Sequence, residues 1–341
     1  MAKNNINLEK NKNSNTSAEV VDENKIQDGN VTINDDKASL KVDISKYHVR
    51  KTNPVLKVLI YIGLILWAFI NLFPIYWMLT FSFKDNDEIF GGNVAGLPEE
   101  IRWENYEKAL WGKNIGTKTQ DEEGFQMPKL IRFFINSLIV TVSSIIISLI
   151  AALMATYAMT RMHWRFGKLM NAVFMLGITI PMHASLLPVY RTMSNLSLLN
   201  TYTSLILPYS AFSLAMAIMI CTGFMDDIPK ELDEAACIDG CGVGRTFFSV
   251  IVPLMKPALS TIGIYTFLQC WNELMFANQF MATGDKLTLP VGIQQLSAGR
   301  SMTEWGPIGA ALVIATFPTL IVYVFLSKRI QDSFIAGAVK G

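Results

Sequence analysis

The sequence predicts an all-helical membrane protein with six transmembrane helices and one polar helical segment on the cytoplasmic side. Hydrophobic residues make up 51% of the 341 residues and charged residues only 17%. The apolar residues are concentrated in discrete runs that are long enough to cross a bilayer as helices. Lysine and arginine cluster at alternate ends of these runs, which is the pattern that orients membrane helices.

The N-terminal part divides into a polar tail and a first span. Residues 1–50 are rich in Asn, Lys, Asp, Ser and Glu and contain no aromatic residue before Tyr47. Such a segment cannot bury enough apolar surface to offset its ordering entropy, so we expect a disordered cytoplasmic tail. The membrane domain is expected at 51–341 and begins with a span at 55–83. The following stretch, 84–129, carries more acidic than basic residues and should be extracellular.

Five further spans are predicted at 130–160, 169–190, 201–224, 258–280 and 308–326. The second span ends in a basic turn that should be cytoplasmic. Pro181 and Pro188 lie within the third span and predict kinks there. Six spans place both termini in the cytoplasm and the polar stretch 282–305 outside.

A cytoplasmic insert at residues 226–257 separates spans four and five. Pro229 suits the first position of a helix, and Gly240 suits a left-handed C-terminal cap, so a helix is expected over 229–239. Acidic residues in its first turns favour the positive end of the helix dipole.

One face of this helix is small and mostly apolar. Leu232, Ala235, Ala236 and Asp239 recur at i, i+3, i+4 and i+7. Small side chains allow the backbone of another protein to approach closely. A second apolar segment follows, and Pro253 should help to stop it and redirect the chain into span five.

The sequence contains no motif for an energy source or a metal. No phosphate-binding loop is present, so any ATPase must be a separate subunit. The four cysteines have spacings that fit neither a disulfide framework nor a zinc site. The net charge of +1 and the lack of a long basic block argue against nucleic acid as a partner. We therefore expect no cofactor or metal on this chain.

The insert reads Glu234-Ala235-Ala236, then Gly240, then Pro253. This pattern resembles the EAA motif of ABC importer permeases, E-A-A-x3-G followed by I-x-L-P, with valine at the isoleucine and leucine positions. The sequence from about residue 54 to the end is most similar to the carbohydrate branch of that family, the maltose-type second permease subunit. The further stretches that carry this resemblance are Trp271-Asn272-Glu273, Thr288-Leu289-Pro290-Val291-Gly292 and Ala336-Gly337-Ala338-Val339-Lys340-Gly341.

The resemblance implies a type I ABC importer permease in a prokaryotic plasma membrane. It implies a heterodimer with a second permease subunit, two ATPase subunits that bind ATP and Mg, an extracellular solute-binding protein, and surrounding membrane lipid. The helix in the insert would then be a coupling helix seated in a cleft of the ATPase. The residues implied in ATPase coupling are Glu234, Ala235, Ala236, Asp239, Gly240 and Pro253.

Polar residues near the spans are candidates for the translocation pathway. Asn272 and Glu273 fall within predicted span five, where polar groups mark either a pathway or an interhelical hydrogen bond. His183 is either a pore-facing contact or a hydrogen-bond donor in helix packing. By resemblance, Gln294, Gln295, Ser297 and Arg300 lie in an external loop that contacts the binding protein.

Other functions are conceivable from the same sequence. The nearest alternative is an ABC permease for a non-sugar solute such as a polyamine or phosphate, which the Trp-Asn-Glu stretch and the C-terminus disfavour. A membrane-embedded enzyme would need converging ionisable residues, whereas Glu273 is the one strong acid expected inside the spans. A sensor would need an attached signalling domain.

Overall fold

A computed structural model describes residues 54–111, 127–162, 165–281, 284–297 and 303–338. All regular elements in these ranges are helical. The predicted tail and Arg300 lie outside the described residues. The helices are α1 (Pro54–Phe81), α2 (Asn86–Phe90), α3 (Glu104–Trp111), α4 (Lys129–Thr160), α5 (Gly167–Gly177), α6 (Leu186–Asn195), α7 (Tyr202–Asp226), α8 (Glu231–Ile238), α9 (Val243–Thr246), α10 (Val252–Leu254), α11 (Lys256–Trp271), α12 (Met275–Phe280), α13 (Leu289–Ser297) and α14 (Trp305–Ala338).

The chain separates into two units at Leu72. The described part of the first unit is the beginning of α1, from Pro54 to Leu72, in which all residues are exposed. The second unit runs from Phe73 onward and contains the packed helices described below.

Four described helices are long and apolar enough to cross a membrane, namely Pro54–Phe81, Lys129–Thr160, Tyr202–Asp226 and Trp305–Phe325. They match predicted spans one, two, four and six. A bent pair of segments, Val243–Leu254 and Lys256–Trp271, passes the same test together, so up to five spans are counted by length and composition. Predicted spans three and five are both interrupted.

The centre of the second unit is the pair α4 and α7, which pack along much of their length. Their contact is lined by small buried residues such as Ser144, Ser148 and Ala152 on α4, and Ser210 and Ala217 on α7. The Ser148 hydroxyl donates to the Ser210 carbonyl at 3.3 Å, and the Ser210 hydroxyl lies 3.4 Å from the Ser144 carbonyl. Small residues of this kind allow the backbones of membrane helices to approach closely.

Predicted span three is two short helices rather than one kinked helix. Helix α5 ends at Gly177, a 3₁₀ turn covers His183–Ser185, and α6 follows. Pro181 lies in the break. It disfavours a continuous helix there, because proline lacks an N–H and its ring clashes with the preceding helical turn. Pro188 lies in the first turn of α6, where a missing N–H is tolerated. Neither α5 nor α6 is long enough to cross a bilayer alone.

Predicted span five is also broken. Helix α11 ends at Trp271 and α12 begins at Met275, so Asn272 and Glu273 lie at the interruption and not within a continuous helix.

The predicted external stretch 282–305 contains a packed helix. In α13, the side chains of Val291, Ile293 and Leu296 are buried, and the helix packs against α4 and α14. Gly292 faces Phe133 of α4 so closely that a Cβ would lie 2.2 Å from the ring. The glycine is therefore explained by close helix packing.

Candidate coupling site

The helix predicted at 229–239 is α8, Glu231–Ile238, and its C-terminal cap is as expected. Gly240 has a left-handed φ of 78°. Its N–H donates to the Cys237 carbonyl at 3.0 Å, and the Cys241 N–H donates to the Ala236 carbonyl at 2.9 Å. These two bonds form a Schellman motif, which ends the helix at a defined residue. Helix α8 is thus a short element with a firm C-terminal end.

The predicted apolar face of α8 is divided between two environments. Ala236 is buried at 7% exposure, whereas Leu232, Ala235 and Asp239 are exposed. Ile238, which lies outside the predicted face, is the most exposed apolar residue of the helix at 87%. One side of α8 therefore packs on the protein, and the other exposes apolar surface. The other predicted motif residue on the helix, Glu234, is also exposed.

The packed side of α8 is held by an ion pair with the end of α4. Arg161 Nη1 lies 3.3 Å from Asp233 Oδ2, and the Tyr157 hydroxyl lies 3.5 Å from Asp233 Oδ1. The other guanidinium nitrogen of Arg161 donates to the Met225 carbonyl at 2.8 Å and to the Ile228 carbonyl. The Arg161 side chain is only 5% exposed. One arginine thus joins the end of α4, the end of α7 with the residue that follows it, and helix α8.

Sequence reasoning missed this junction. In the sequence, Arg161 is the first residue of the basic turn after span two, which marks the cytoplasmic side, and Asp233 is one of the acidic residues that favour the helix dipole of the insert. Both interpretations use general properties of charge and give no reason to pair the two residues. The one available signal is the position of Arg161 directly after a long apolar helix, where its side chain could turn back and bind backbone carbonyls at the helix ends.

The second half of the insert turns the chain sharply. After α9, residues Phe247–Ile251 form a π-helical segment, and α10 follows with Pro253 in its first turn. The segment Val243–Leu254 then meets α11 at an angle of 73°. The predicted redirection is confirmed. Phe248 is 70% exposed, so this segment also presents apolar surface.

Glu273 supports the break between α11 and α12. Its carboxylate accepts hydrogen bonds from the Phe276 N–H at 2.8 Å and the Ala277 N–H at 3.1 Å, and so caps the start of α12. It also accepts a hydrogen bond from the Tyr209 hydroxyl on α7. Of the two alternatives open for this residue, the structure contains the interhelical hydrogen bond. Asn272 is exposed, and its amide donates to the Leu268 carbonyl at 2.9 Å.

The remaining predicted residues lie apart from this network. His183 is exposed in the 3₁₀ turn, and among the described residues none accepts a hydrogen bond from it. Gln294 is exposed and Gln295 half-buried on α13, whose last residue is Ser297. These three residues are therefore on a helix and not in a loop.

This chain is similar to known membrane transport proteins in sequence and in fold. The family model described as the inner membrane component of binding-protein-dependent transport systems matches residues 144–335. The trehalose/maltose transport system permease protein MalG of Thermococcus litoralis is 32% identical over 290 residues, which cover 84% of this chain and 97% of the relative. The diacetylchitobiose uptake system permease protein NgcG of Streptomyces coelicolor is 32% identical over 278 residues, covering 81% and 87%.

A solved structure shares the fold. It is the crystal structure of a bacterial ABC transporter involved in the import of the acidic polysaccharide alginate, and the match has a TM-score of 0.69 at 21% identity. The match covers 82% of this chain and 97% of the other. Because the family model covers more than half of the chain and the fold agrees, this chain belongs to the binding-protein-dependent transport system inner membrane components, as a multi-pass permease of the type I ABC importer fold.

Proposed function

We propose that the chain is one permease subunit of an ATP-driven importer of sugars or oligosaccharides. The observation that carries this proposal is α8, which is capped and anchored on one side and exposes apolar surface on the other. Relatives named for trehalose, maltose and diacetylchitobiose support sugar over a polyamine or phosphate. The engagement of Glu273 in three hydrogen bonds supports a structural role for this acid over catalysis in a membrane enzyme.

The assembly that we propose contains this chain, a second permease, two ATPase subunits and an extracellular solute-binding protein. This chain would form half of the translocation pathway in a prokaryotic plasma membrane, with both termini in the cytoplasm. ATP and Mg would bind to the ATPase subunits. Arg161 and Arg165 after α4, and Lys328 and Arg329 beyond the membrane-length part of α14, support this orientation.

The exposed side of α8 would sit in a cleft of the ATPase. Leu232, Ala235 and Ile238 supply apolar contact there, and Glu234 adds a charge. When the ATPases close on ATP, a helix that is held on both faces would move as a rigid body. It can transmit this motion only if its contacts differ between the open and the closed state of the ATPases. Arg161 would transfer that motion to the ends of α4 and α7, and hence to the central helix pair.

The pathway would be lined by polar groups that the single chain leaves exposed. His183 and Asn272 are exposed near breaks in membrane segments, where contact with lipid would be costly. A water-filled pathway or the second permease would satisfy them. On the opposite side of the membrane, Gln294, Gln295, Ser297 and Arg300 would contact the binding protein.

Substitutions on the exposed side of α8 test the coupling role. Ala235→Phe and Glu234→Lys should leave assembly of the complex intact, while sugar uptake into proteoliposomes falls at least tenfold and ATP hydrolysis no longer responds to loaded binding protein. Ala172→Phe, the same change at an exposed alanine of α5, is the matched control and should retain uptake. Unchanged uptake in Ala235→Phe would refute the coupling role.

The sugar itself can be found with the same complex. A panel of mono- and oligosaccharides is added with the binding protein, and the sugar that stimulates ATP hydrolysis is identified. If no sugar stimulates hydrolysis but another solute does, the sugar assignment is wrong while the coupling role stands.

A further inference from the structure

A basic cavity lies beside the anchored end of the coupling helix. It is an open cleft with a volume of about 430 Å³, lined by the end of α4, the start of α5, the end of α7 and the residues that precede α8. Its charged lining residues are Arg161, Lys168, Lys230 and Asp226. Three cations therefore face one carboxylate, and the cavity favours an anion.

The lysines supply the available positive charge. Arg161 is already paired with Asp233, whereas Lys168 and Lys230 are exposed and form no ion pair with a described residue. The amino terminus of α5 lies at the same wall, since Gly167 lines the cavity. No side chain of the described residues caps this helix, so its N–H groups add to the positive potential.

The walls of the cavity also contain polar atoms without partners. The Asn171 Oδ1 and Thr222 Oγ1 atoms are buried, and no hydrogen bond satisfies them within the described chain. Arg161 Nη1 has only its charge contact with Asp233 and no hydrogen bond of good geometry. Buried polar groups are normally satisfied by protein, water or ligand. The Thr222 hydroxyl and Arg161 Nη1 can donate to an anion, whereas the Asn171 oxygen is an acceptor and needs a donor such as water.

Exposed apolar side chains lie close in sequence to the cavity residues Arg161 and Lys168. Met162, Phe166 and Leu169 expose 48%, 53% and 56% of their surface, and they flank Lys168 in the sequence. Apolar side chains beside exposed lysines match the boundary between acyl chains and headgroups. Basic pockets between membrane helices on the cytoplasmic side bind the headgroups of anionic lipids.

We propose that this cavity binds a phosphate group, with the phosphodiester of an anionic phospholipid as the source that its apolar rim favours. Lys168 and Lys230 hold the phosphate oxygens, and the lipid chains lie along the exposed apolar residues. The inference goes beyond the transport function and depends on it only for the cytoplasmic position of the cavity. Because Lys230 directly precedes α8, an occupied cavity would also brace the base of the coupling helix.

Lipid retention by the assembled complex tests the proposal. The complex is reconstituted in nanodiscs of phosphatidylcholine with a minor fraction of phosphatidylglycerol, extracted gently and measured by native mass spectrometry. The wild-type complex should retain phosphatidylglycerol above its share in the bilayer. Each lysine-to-glutamine change should weaken retention about fivefold, as expected for the loss of one cation near an anionic surface.

Matched variants separate this site from general surface charge. Lys168→Gln with Lys230→Gln should abolish the excess, whereas Lys256→Gln, a change at an exposed lysine of α11 outside the cavity, should preserve it. Equal loss in the Lys256→Gln complex would overturn the proposal. Assembly of each variant is checked by size-exclusion chromatography.

A second arm distinguishes lipid from soluble phosphate. Binding of inorganic phosphate is measured calorimetrically on the complex in pure phosphatidylcholine. Binding that requires both lysines, without enrichment of phosphatidylglycerol, would support the phosphate site and assign a soluble source. If neither phosphate nor phosphatidylglycerol binds in a lysine-dependent way, the site is refuted. Both readouts are independent of sugar transport, so failure here leaves the proposed function untouched.

Discussion

Replacement of Arg161 should detach the coupling helix from the membrane helices. The side chain is 5% exposed and donates to two backbone carbonyls at the end of α7 while it pairs with Asp233. Arg161→Gln removes the charge and cannot reproduce the planar fork that reaches all of these groups. Asp233→Asn is milder, because the amide keeps an acceptor and the residue is 21% exposed.

The size of the effect follows from these contacts. A hydrogen bond from a charged donor contributes about 1.5 to 3 kcal/mol. Arg161→Gln loses one such bond to the Ile228 carbonyl, in the segment that leads into α8, together with the ion pair to Asp233 on α8 itself. Water from the adjacent cavity will replace part of the lost hydrogen bonding. The state in which α8 is packed against the end of α4 should therefore be destabilised by about 3 kcal/mol, which lowers the equilibrium constant for this packing roughly 100-fold. Asp233→Asn should lose about 1 kcal/mol, or roughly fivefold.

Hydrogen exchange of α8 measures this loss directly. In the nucleotide-free complex, amide protection over residues 231–238 should fall by about the same factors, because undocking exposes the helix to solvent. The two changes together should cost less than their sum, since both remove the same ion pair. Lys256→Gln is the control and should not alter protection. Wild-type protection in Arg161→Gln would show that the arginine does not hold the helix.

Three further substitutions test individual packing features. Gly292→Ala should destabilise the complex by about 1 to 3 kcal/mol through the clash with Phe133, and Phe133→Leu in the same chain should recover part of the lost melting temperature. Gly240→Ala should cost about 1 kcal/mol at its left-handed φ and speed exchange at the end of α8 about fivefold. Tyr209→Phe should lower the melting temperature by removing a donor worth about 1 to 3 kcal/mol, and Glu273→Gln should then have a smaller effect than it has alone.

Much of the membrane architecture could be predicted because hydropathy and capping are local properties. Spans two, four and six follow from apolar runs, and the end of α8 follows from Gly240. The breaks beside Pro181 and Glu273 are harder to predict from the sequence. Both interrupted segments remain apolar overall, and hydropathy averaged over a span does not reveal a change in helix direction. Glu273 was considered as a polar group inside a span, and its role as a helix cap depends on the turn that it creates.

Contacts between distant segments were beyond sequence reasoning. Arg161 and Asp233 belong to separate helices, and each has an adequate local explanation. The helix at 289–297 lies within the stretch 282–305, which the sequence predicts only as polar and external. The way its buried residues Val291, Ile293 and Leu296 pack against α4 and α14 has no signal in that description. In both cases the missing information was which surfaces meet, and a single sequence does not contain a local signal for that.

The seam of serine and alanine between α4 and α7 has a mechanical consequence. Large interlocking side chains would fix the two helices in one position, because any shift would force them past each other. In this stretch the side chains of Ser144, Ser148, Ala152, Ser210 and Ala217 are short, and the two hydroxyl contacts across it measure 3.3 and 3.4 Å. We expect this stretch to resist a small relative shift of the two helices less than a seam of large side chains would. A force applied at Arg161 would then become translation along the helices before it became separation of them.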